Sequence, residues 1–344
     1  MTTGNRAAEL RPARRRFFAT ALIGGIGLAA ALVLVGRPAA AKGTGLIFVS
    51  NEKSASLTVL DPKTLATVAT IPTGRRPRGM RFSADHTKLY VACGDDNRID
   101  IVDVAKRQVV DHIPNVPDPE AFDIDKAGKT LYVSNEDDGA LSFYDLASKK
   151  LVKEVKVGLE PEGVQLSPDG SRVYVASEAS NIVTTIDTRT ATVVGNLLVG
   201  GRPRRFALSP DGKTLWVSNE LAGTVTVIDA AANRITGRLH FSLPTLRQTD
   251  IAPVGLELTP DGKTLYAALG RADHVAVVDA ASGKVEHYIL VGRRPWGLTL
   301  SHDGKRLYVA NGGSDDVTVI DVAAAKALRS VPVGRYPYGV AIDD

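Results

Sequence analysis

Seven near-copies of one unit run from Phe48 to the end of the chain, and this repetition constrains the fold more than any other feature. An aromatic residue recurs at Phe48, Tyr90, Tyr132, Tyr174, Trp216, Tyr266 and Tyr308, with successive spacings of 42, 42, 42, 42, 50 and 42 residues. An aspartate keeps the same beat at Asp61, Asp103, Asp145, Asp187, Asp229, Asp279 and Asp321, and a proline at Pro77, Pro119, Pro161, Pro203, Pro253, Pro295 and Pro337. A period near 40 residues that holds four short strands is the signature of a β-propeller blade, a unit that buries its faces only against its neighbours. The expected fold is all-β, a seven-bladed β-propeller of four-stranded antiparallel blades spanning residues 42–344.

The unit that starts at Leu131 illustrates the pattern. Period-2 alternation bounded by Gly, Pro and Asp predicts strands over 131–135, 141–145, 151–157 and 164–167. Asp137-Asp138-Gly139, Asp145-Leu146-Ala147-Ser148 and Pro168-Asp169-Gly170 supply the turns. A short carboxylate that accepts backbone N–H groups explains the seven repeated aspartates as turn residues. The chain ends on a lone strand-like run, Tyr338-Gly339-Val340-Ala341-Ile342. It is expected to complete the blade begun at Leu46, which removes two open sheet edges and locks the ring.

The formal charge of +4 is concentrated at the N-terminus. Residues 1–41 hold six arginines and one acid, which leaves 36 Lys+Arg against 37 Asp+Glu in the remainder. A near-neutral body exerts no general pull on polyanions, so no nucleic-acid partner is expected. Arg14-Arg15-Arg16-Phe17-Phe18, an apolar run from Ala21 to Val35 and Ala39-Ala40-Ala41 follow in the order of a cleavable export signal, with cleavage after Ala41. The arginine pair resembles a twin-arginine signal. An ordinary secretory signal and an uncleaved anchor over the uncharged stretch Phe17–Gly36 are the other readings. The mature protein is expected in the periplasm, free of the membrane and monomeric. Cys93 is the sole cysteine and stands where other units carry Asn51, Asn135, Asn219 and Asn311, a small-residue position rather than a reactive thiol.

The units diverge around the repeated prolines, where the chain enters the innermost strand at one mouth of the central channel. The position after each proline reads Arg78, Glu120, Glu162, Arg204, Val254, Trp296 and Tyr338; the position before reads Arg76, Asp118, Glu160, Arg202, Ala252, Arg294 and Tyr336. Two positions on, Arg205 stands where glycine is usual. Divergence inside a constant frame is expected of a ligand-facing ring. Arginines beside aromatics suit a planar or carboxylate-bearing anion. The candidate ligand-binding residues are therefore Arg76, Arg78, Glu120, Glu162, Arg202, Arg204, Arg205, Arg294, Trp296 and Tyr338. The competing reading is a solvated ring of salt bridges that neutralise one another. The single insertion, within Leu239–Ala252, is expected to overhang the same mouth, onto which the turns at Asn51-Glu52, Asn135-Glu136 and Asn219-Glu220 also open.

Catalytic constellations are missing from the sequence. The six histidines share no repeat position and no metal-ligand spacing, and there is no Cys-x-x-Cys-His, P-loop or Gly-x-Ser-x-Gly. The acidic pairs Asp95-Asp96, Asp137-Asp138 and Asp315-Asp316 read as turns before they read as cation ligands. No catalytic residue, metal site or cofactor is assigned.

Tyr132-Val133-Ser134-Asn135 and Tyr308-Val309-Ala310-Asn311, with Val-x-Val-Ile-Asp and Val-Gly-Arg-x-Pro, resemble the YVTN-repeat β-propeller family, although the third motif position here is Ser or Ala. Gly74-Arg75-Arg76-Pro77-Arg78-Gly79 and Val291-Gly292-Arg293-Arg294-Pro295-Trp296 are similar to an exported subgroup associated with pyrroloquinoline-quinone-dependent catabolism. That resemblance implies a periplasmic accessory protein of quinone-linked alcohol oxidation. It does not imply that the quinone binds here, since the repeated tryptophan motif of quinoprotein blades is absent. The sequence thus predicts a non-enzymatic binding or accessory propeller that takes a small anionic ligand or a periplasmic protein at its mouth. A lactonase-like hydrolase or quinone-assisted oxidoreductase, and a pure interaction scaffold, are the alternatives.

Overall fold

Seven four-stranded antiparallel sheets follow one another around a ring in the computed structural model, which describes residues 43–344. The export-signal reading concerns residues 1–41, which lie outside the described residues. Blade 3 contains strands Pro119–Ile124, Thr130–Asn135, Ala140–Asp145 and Lys150–Lys156, ordered from the axis outward. The other blades repeat this order and are numbered along the chain, the innermost strands of blades 2, 4, 5, 6 and 7 being Pro77–Phe82, Pro161–Leu166, Pro203–Leu208, Pro253–Leu258 and Pro295–Leu300.

Blade 1 is closed as the sequence predicts. The C-terminal strand Pro337–Ile342 pairs antiparallel with Ile47–Asn51, setting Val340 opposite Val49 and Ile342 opposite Ile47. Beyond it, the Asp343 carboxylate accepts the backbone N–H and hydroxyl of Thr44 at 2.8 and 2.6 Å. The two ends of the described chain are thus fastened to each other.

All seven repeated aspartates make the expected turns. Asp145 Oδ1, for example, accepts the backbone N–H of Ser148 at 2.7 Å and its hydroxyl at 2.6 Å. One boundary differs from expectation. The innermost strand starts on the repeated proline, at Pro161 rather than Val164 in blade 4. Proline lacks an N–H but is tolerated as the first residue of a strand, and the register then shifts between Pro161 and Gly163.

The core is distributed. Seven separate apolar clusters each fill the gap between two adjacent blades, as where Phe48, Val59 and Ile71 of blade 1 meet Met80, Leu89 and Val91 of blade 2. The ring closes through Ile47, Val49 and Leu60 against Tyr308, Val317 and Val319. Outermost strands such as Lys150–Lys156 stay largely exposed. Cys93 is buried in the cluster between blades 1 and 2, and burial pushes its thiol pKa up, which keeps it unreactive.

Candidate functional site: a charged layer over an axial channel

Three rings of residues converge at the proline end of the axis. The first is the residue before each proline, and in all seven blades it adopts the left-handed conformation, with φ between 33 and 58°. None of the seven is glycine, so each carries a backbone penalty of about 1–2 kcal/mol. A repeated hydrogen bond holds the conformation. Each of these residues accepts, on its carbonyl, the N–H of the residue after the motif asparagine or its equivalent, as in Glu220 to Arg202 at 2.8 Å and Gly270 to Ala252 at 2.7 Å. Four receive a second anchor, for instance Arg202 N–H donating to Asn181 Oδ1 at 2.8 Å.

The second ring is the residue after each proline. Glu120, Glu162, Val254, Trp296, Tyr338 and Arg204 are nearly fully buried. They therefore close this end of the axis instead of lining an open mouth. The third ring follows the asparagine: Glu52, Glu136, Glu178 and Glu220, with Gly94, Gly270 and Gly312 in the other blades. Glycine is required at two of these places, since a Cβ on Gly94 would collide with the Arg76 guanidinium and one on Gly312 would lie 2.7 Å from the Trp296 indole.

The charged groups of the three rings neutralise one another. Arg204 reaches Glu162 at 2.5 Å, Glu220 at 3.1 Å and also Glu178. Arg78 joins Glu52 at 3.0 Å to Glu120 at 2.5 Å, Arg202 pairs with Glu178 at 2.5 Å, and Arg294 pairs with Glu220 at 2.7 Å. Arg205 crosses the axis to the Tyr338 hydroxyl at 2.6 Å and lies 3.4 Å from Glu162. Aromatic faces complete the packing, with Arg294 4.4 Å above Trp296 and Arg78 4.9 Å above Tyr338. Asp118, Glu120 and Glu136 cluster closely enough to suggest a metal site, but the Arg76 guanidinium occupies the space between them.

Six arginines here face eight carboxyl groups (Glu52, Asp95, Asp118, Glu120, Glu136, Glu162, Glu178 and Glu220). Burial opposes ionisation of Glu162, yet Arg204, Arg205 and Arg78 overcome it and hold its pKa down, to about 2. Burial, reinforced by Glu120 and Glu162, pushes Glu136 the other way, up to about 8. The layer is therefore neutral to acidic. It offers an incoming anion no unpaired cation, because each arginine is already paired with a protein carboxylate.

Beneath the layer lies an axial cavity of about 320 Å³. Its roof comprises Arg78, Arg205, Trp296 and Tyr338, and its walls include Met80, Phe122, Val164, Leu256, Leu298 and Val340. Deeper along the innermost strands, four positions after the proline, Arg81, Gln165, Glu257 and Thr299 add polar groups. The insertion lies on the opposite, outer side of the layer, where Gln248 Nε2 donates to the carbonyl of Gly223 in the turn after Glu220.

The structure thus brings the ten candidate residues together. Four of them, Arg78, Arg205, Trp296 and Tyr338, border the cavity, while Arg76, Glu120, Glu162, Arg202, Arg204 and Arg294 belong to the charged layer. Sequence reasoning missed Glu178 because Ser177 replaces the asparagine that marks this turn elsewhere. It also missed Arg81 and Glu257, which stand at a strand position read as scaffold. The signal was available there: that position varies as Arg81, Asp123, Gln165, Ala207, Glu257, Thr299 and Ala341.

Comparison with known proteins supports the same architecture. A family profile described as "Lactonase, 7-bladed beta-propeller" matches residues 188–331, and one described as "YNCE-like beta-propeller" matches residues 70–170. Among curated proteins no sequence matches. Hydrazine synthase of Kuenenia stuttgartiensis superposes with a TM-score of 0.73 at 24% identity, covering 84% of this chain and 99% of that one. A putative 6-phosphogluconolactonase of Bacteroides fragilis gives 0.72 at 18% identity, covering 90% and 100%. A protein from Lactobacillus plantarum gives 0.74 at 20%, covering 87% and 99%. At these identities the likeness establishes the fold.

Proposed function

We propose that this seven-bladed β-propeller is a binding protein that takes a small molecule in its axial channel, beneath the charged layer. The observation that carries the reading is the cavity itself. At about 320 Å³, lined by apolar side chains together with polar groups from Arg81, Gln165, Glu257 and Thr299, it has the size of a small-ligand site. The layer above it serves as a lid built into the fold, with Arg78, Arg205, Trp296 and Tyr338 presented to the ligand from below. Paired arginines favour this placement over an anion bound on the outer face, since such an anion would have to displace buried carboxylates. The setting we propose, from the resemblance of the Val-Gly-Arg-x-Pro segments, is the periplasm, as an accessory of pyrroloquinoline-quinone-linked catabolism.

The test is native mass spectrometry of the protein purified from its own organism, beside a Gln165→Trp variant that fills the channel. The proposal expects a bound small-molecule mass in the parent that the variant lacks. A ligand retained equally by both would place binding elsewhere. A second reading, a lactonase-like hydrolase, is favoured by one observation. The matched segment 188–331 contains Glu257, a channel carboxyl whose pKa burial pushes up to about 7, the range suited to general acid–base work. Turnover of simple γ- and δ-lactones, lost in Glu257→Gln, would support that reading over pure binding.

A further inference from the structure

Arg81 and Glu257 are the two charged side chains of the channel that the layer above does not engage. They lie on the innermost strands of blades 2 and 6, on opposing sides of a seven-membered ring. Arg81 is loosely held. Its Nε is 3.7 Å from Asp123 Oδ1, its Nη1 donates to the Met80 carbonyl at 3.1 Å, and half of the side chain is exposed. This contrasts with Arg78 and Arg205, whose guanidiniums are committed to Glu120 and Glu162. Glu257 accepts a single long hydrogen bond, from the Leu300 N–H at 3.3 Å. Asp123 occupies the equivalent place in blade 3, and its second oxygen accepts the Leu166 N–H at 3.0 Å, but Asp123 also has Arg81 beside it. Between Arg81 and Glu257 the walls carry apolar side chains such as Met80, Phe122, Leu256 and Leu298, with the uncharged polar groups of Gln165 and Thr299.

We infer that the channel is a site for a small organic acid, whose carboxylate docks on Arg81 and receives a hydrogen bond from a protonated Glu257, so that binding to protein in which Glu257 is ionised takes up one proton. This inference rests on the channel-binding reading above. A guanidinium held only by a long contact to Asp123 and one backbone carbonyl can turn donors toward a ligand carboxylate. An apolar body then fits against Met80, Phe122, Leu256 and Leu298. Ionised, Glu257 would repel the ligand; neutral, it becomes the donor that the second carboxylate oxygen needs. The charged groups that line the channel with it are Arg81, Arg78 and Arg205, with Asp123 beside Arg81; burial pushes the Glu257 pKa up to about 7 against the opposing hydrogen bond from the Leu300 N–H and the weaker pull of Arg81. Gln165 and Thr299, from blades 4 and 7, are uncharged.

The probe pair is hexanoate and hexanamide, titrated calorimetrically from about pH 5.5 to 8.5, where hexanoate is ionised throughout. The expected hexanoate affinity is level below about pH 7 and falls roughly tenfold per unit above it, the slope of one linked proton. Glu257→Gln flattens this profile. Arg81→Met weakens hexanoate by at least about tenfold at every pH and leaves hexanamide nearly unchanged. A readout without ligand accompanies these: the carboxyl resonance that disappears in Glu257→Gln should titrate near pH 7 in the parent. A flat hexanoate profile in the parent overturns the inference. Hexanamide binding without hexanoate binding overturns it while the channel reading stands, and binding of neither probe removes both.

Discussion

Arg204→Met removes one cation from the centre of the layer while keeping its bulk. In the parent the guanidinium touches Glu162, Glu178 and Glu220, all at most 2% exposed. Each carboxylate would keep another arginine: Glu162 has Arg205 at 3.4 Å, Glu178 has Arg202 at 2.5 Å and Glu220 has Arg294 at 2.7 Å. Breaking a buried pair by deleting one partner costs about 3–5 kcal/mol, and the retained arginines place this case near the lower end, about 3 kcal/mol. For a chain of this size that corresponds to a fall in Tm of roughly 6–10 °C at pH 7. The pH dependence follows from Glu162. Arg204 helps hold its pKa below the ordinary carboxylate range, so its stabilising contribution is full above about pH 4.3 and is lost as pH drops toward 2. Parent and variant should therefore differ most at neutral pH and converge on acidification. Calorimetric melting at pH 7 and at pH 4 or below checks both statements. A variant melting within 2 °C of the parent at pH 7, or a gap that widens in acid, would refute the assignment of a cohesive role to the layer.

Three further outcomes follow. Deletion of residues 337–344 removes the innermost strand of blade 1 and the Asp343–Thr44 contacts, so it should lower Tm sharply or abolish folding; an unchanged Tm would contradict ring closure. Arg107, exposed and held at φ 55°, occupies the turn position that blade 6 gives to Gly283. Relief of left-handed strain, less the extra freedom of an unfolded glycine, predicts that Arg107→Gly gains about 0.5 kcal/mol in denaturant melts, and a loss would count against it. Glu257 carries a raised pKa in the folded protein, so its carboxyl penalises folding increasingly from about pH 4.3 to about pH 7, by a total on the order of 3 kcal/mol. Glu257→Gln should then be more stable than the parent at pH 8 and no more stable near pH 4.5, again read by melting.

The repeat made the strands, turns and ring closure legible because each rests on local chemistry that recurs seven times. Asp145 and its counterparts needed only a short carboxylate near two backbone donors, and Val340 needed only an unpaired edge on Ile47–Asn51. The convergence of Arg78, Glu120, Glu162 and Arg204 was also legible, since ring geometry brings equivalent positions together. Two things were hidden. The sequence does not reveal that Arg204 and Arg202 are saturated by Glu178, because that pairing comes from a turn whose asparagine is replaced by Ser177. Nor does it reveal that the post-proline ring is a roof: the burial of Glu120 and Tyr338 depends on how far seven side chains reach across one axis. The left-handed backbone before each proline escaped notice for a similar reason. Arg76, Arg202 and Tyr336 are not residues that announce a positive φ, and they hold one only because the neighbouring turn donates a hydrogen bond to each carbonyl.

The most direct test of the central claim is a crystal structure of the protein purified from its own organism without ligand exchange. The account predicts small-molecule density on the axis, below Tyr338 and Trp296 and within reach of Arg81 and Glu257. Density on the outer face of the layer, against Arg202 or Arg294, would contradict it.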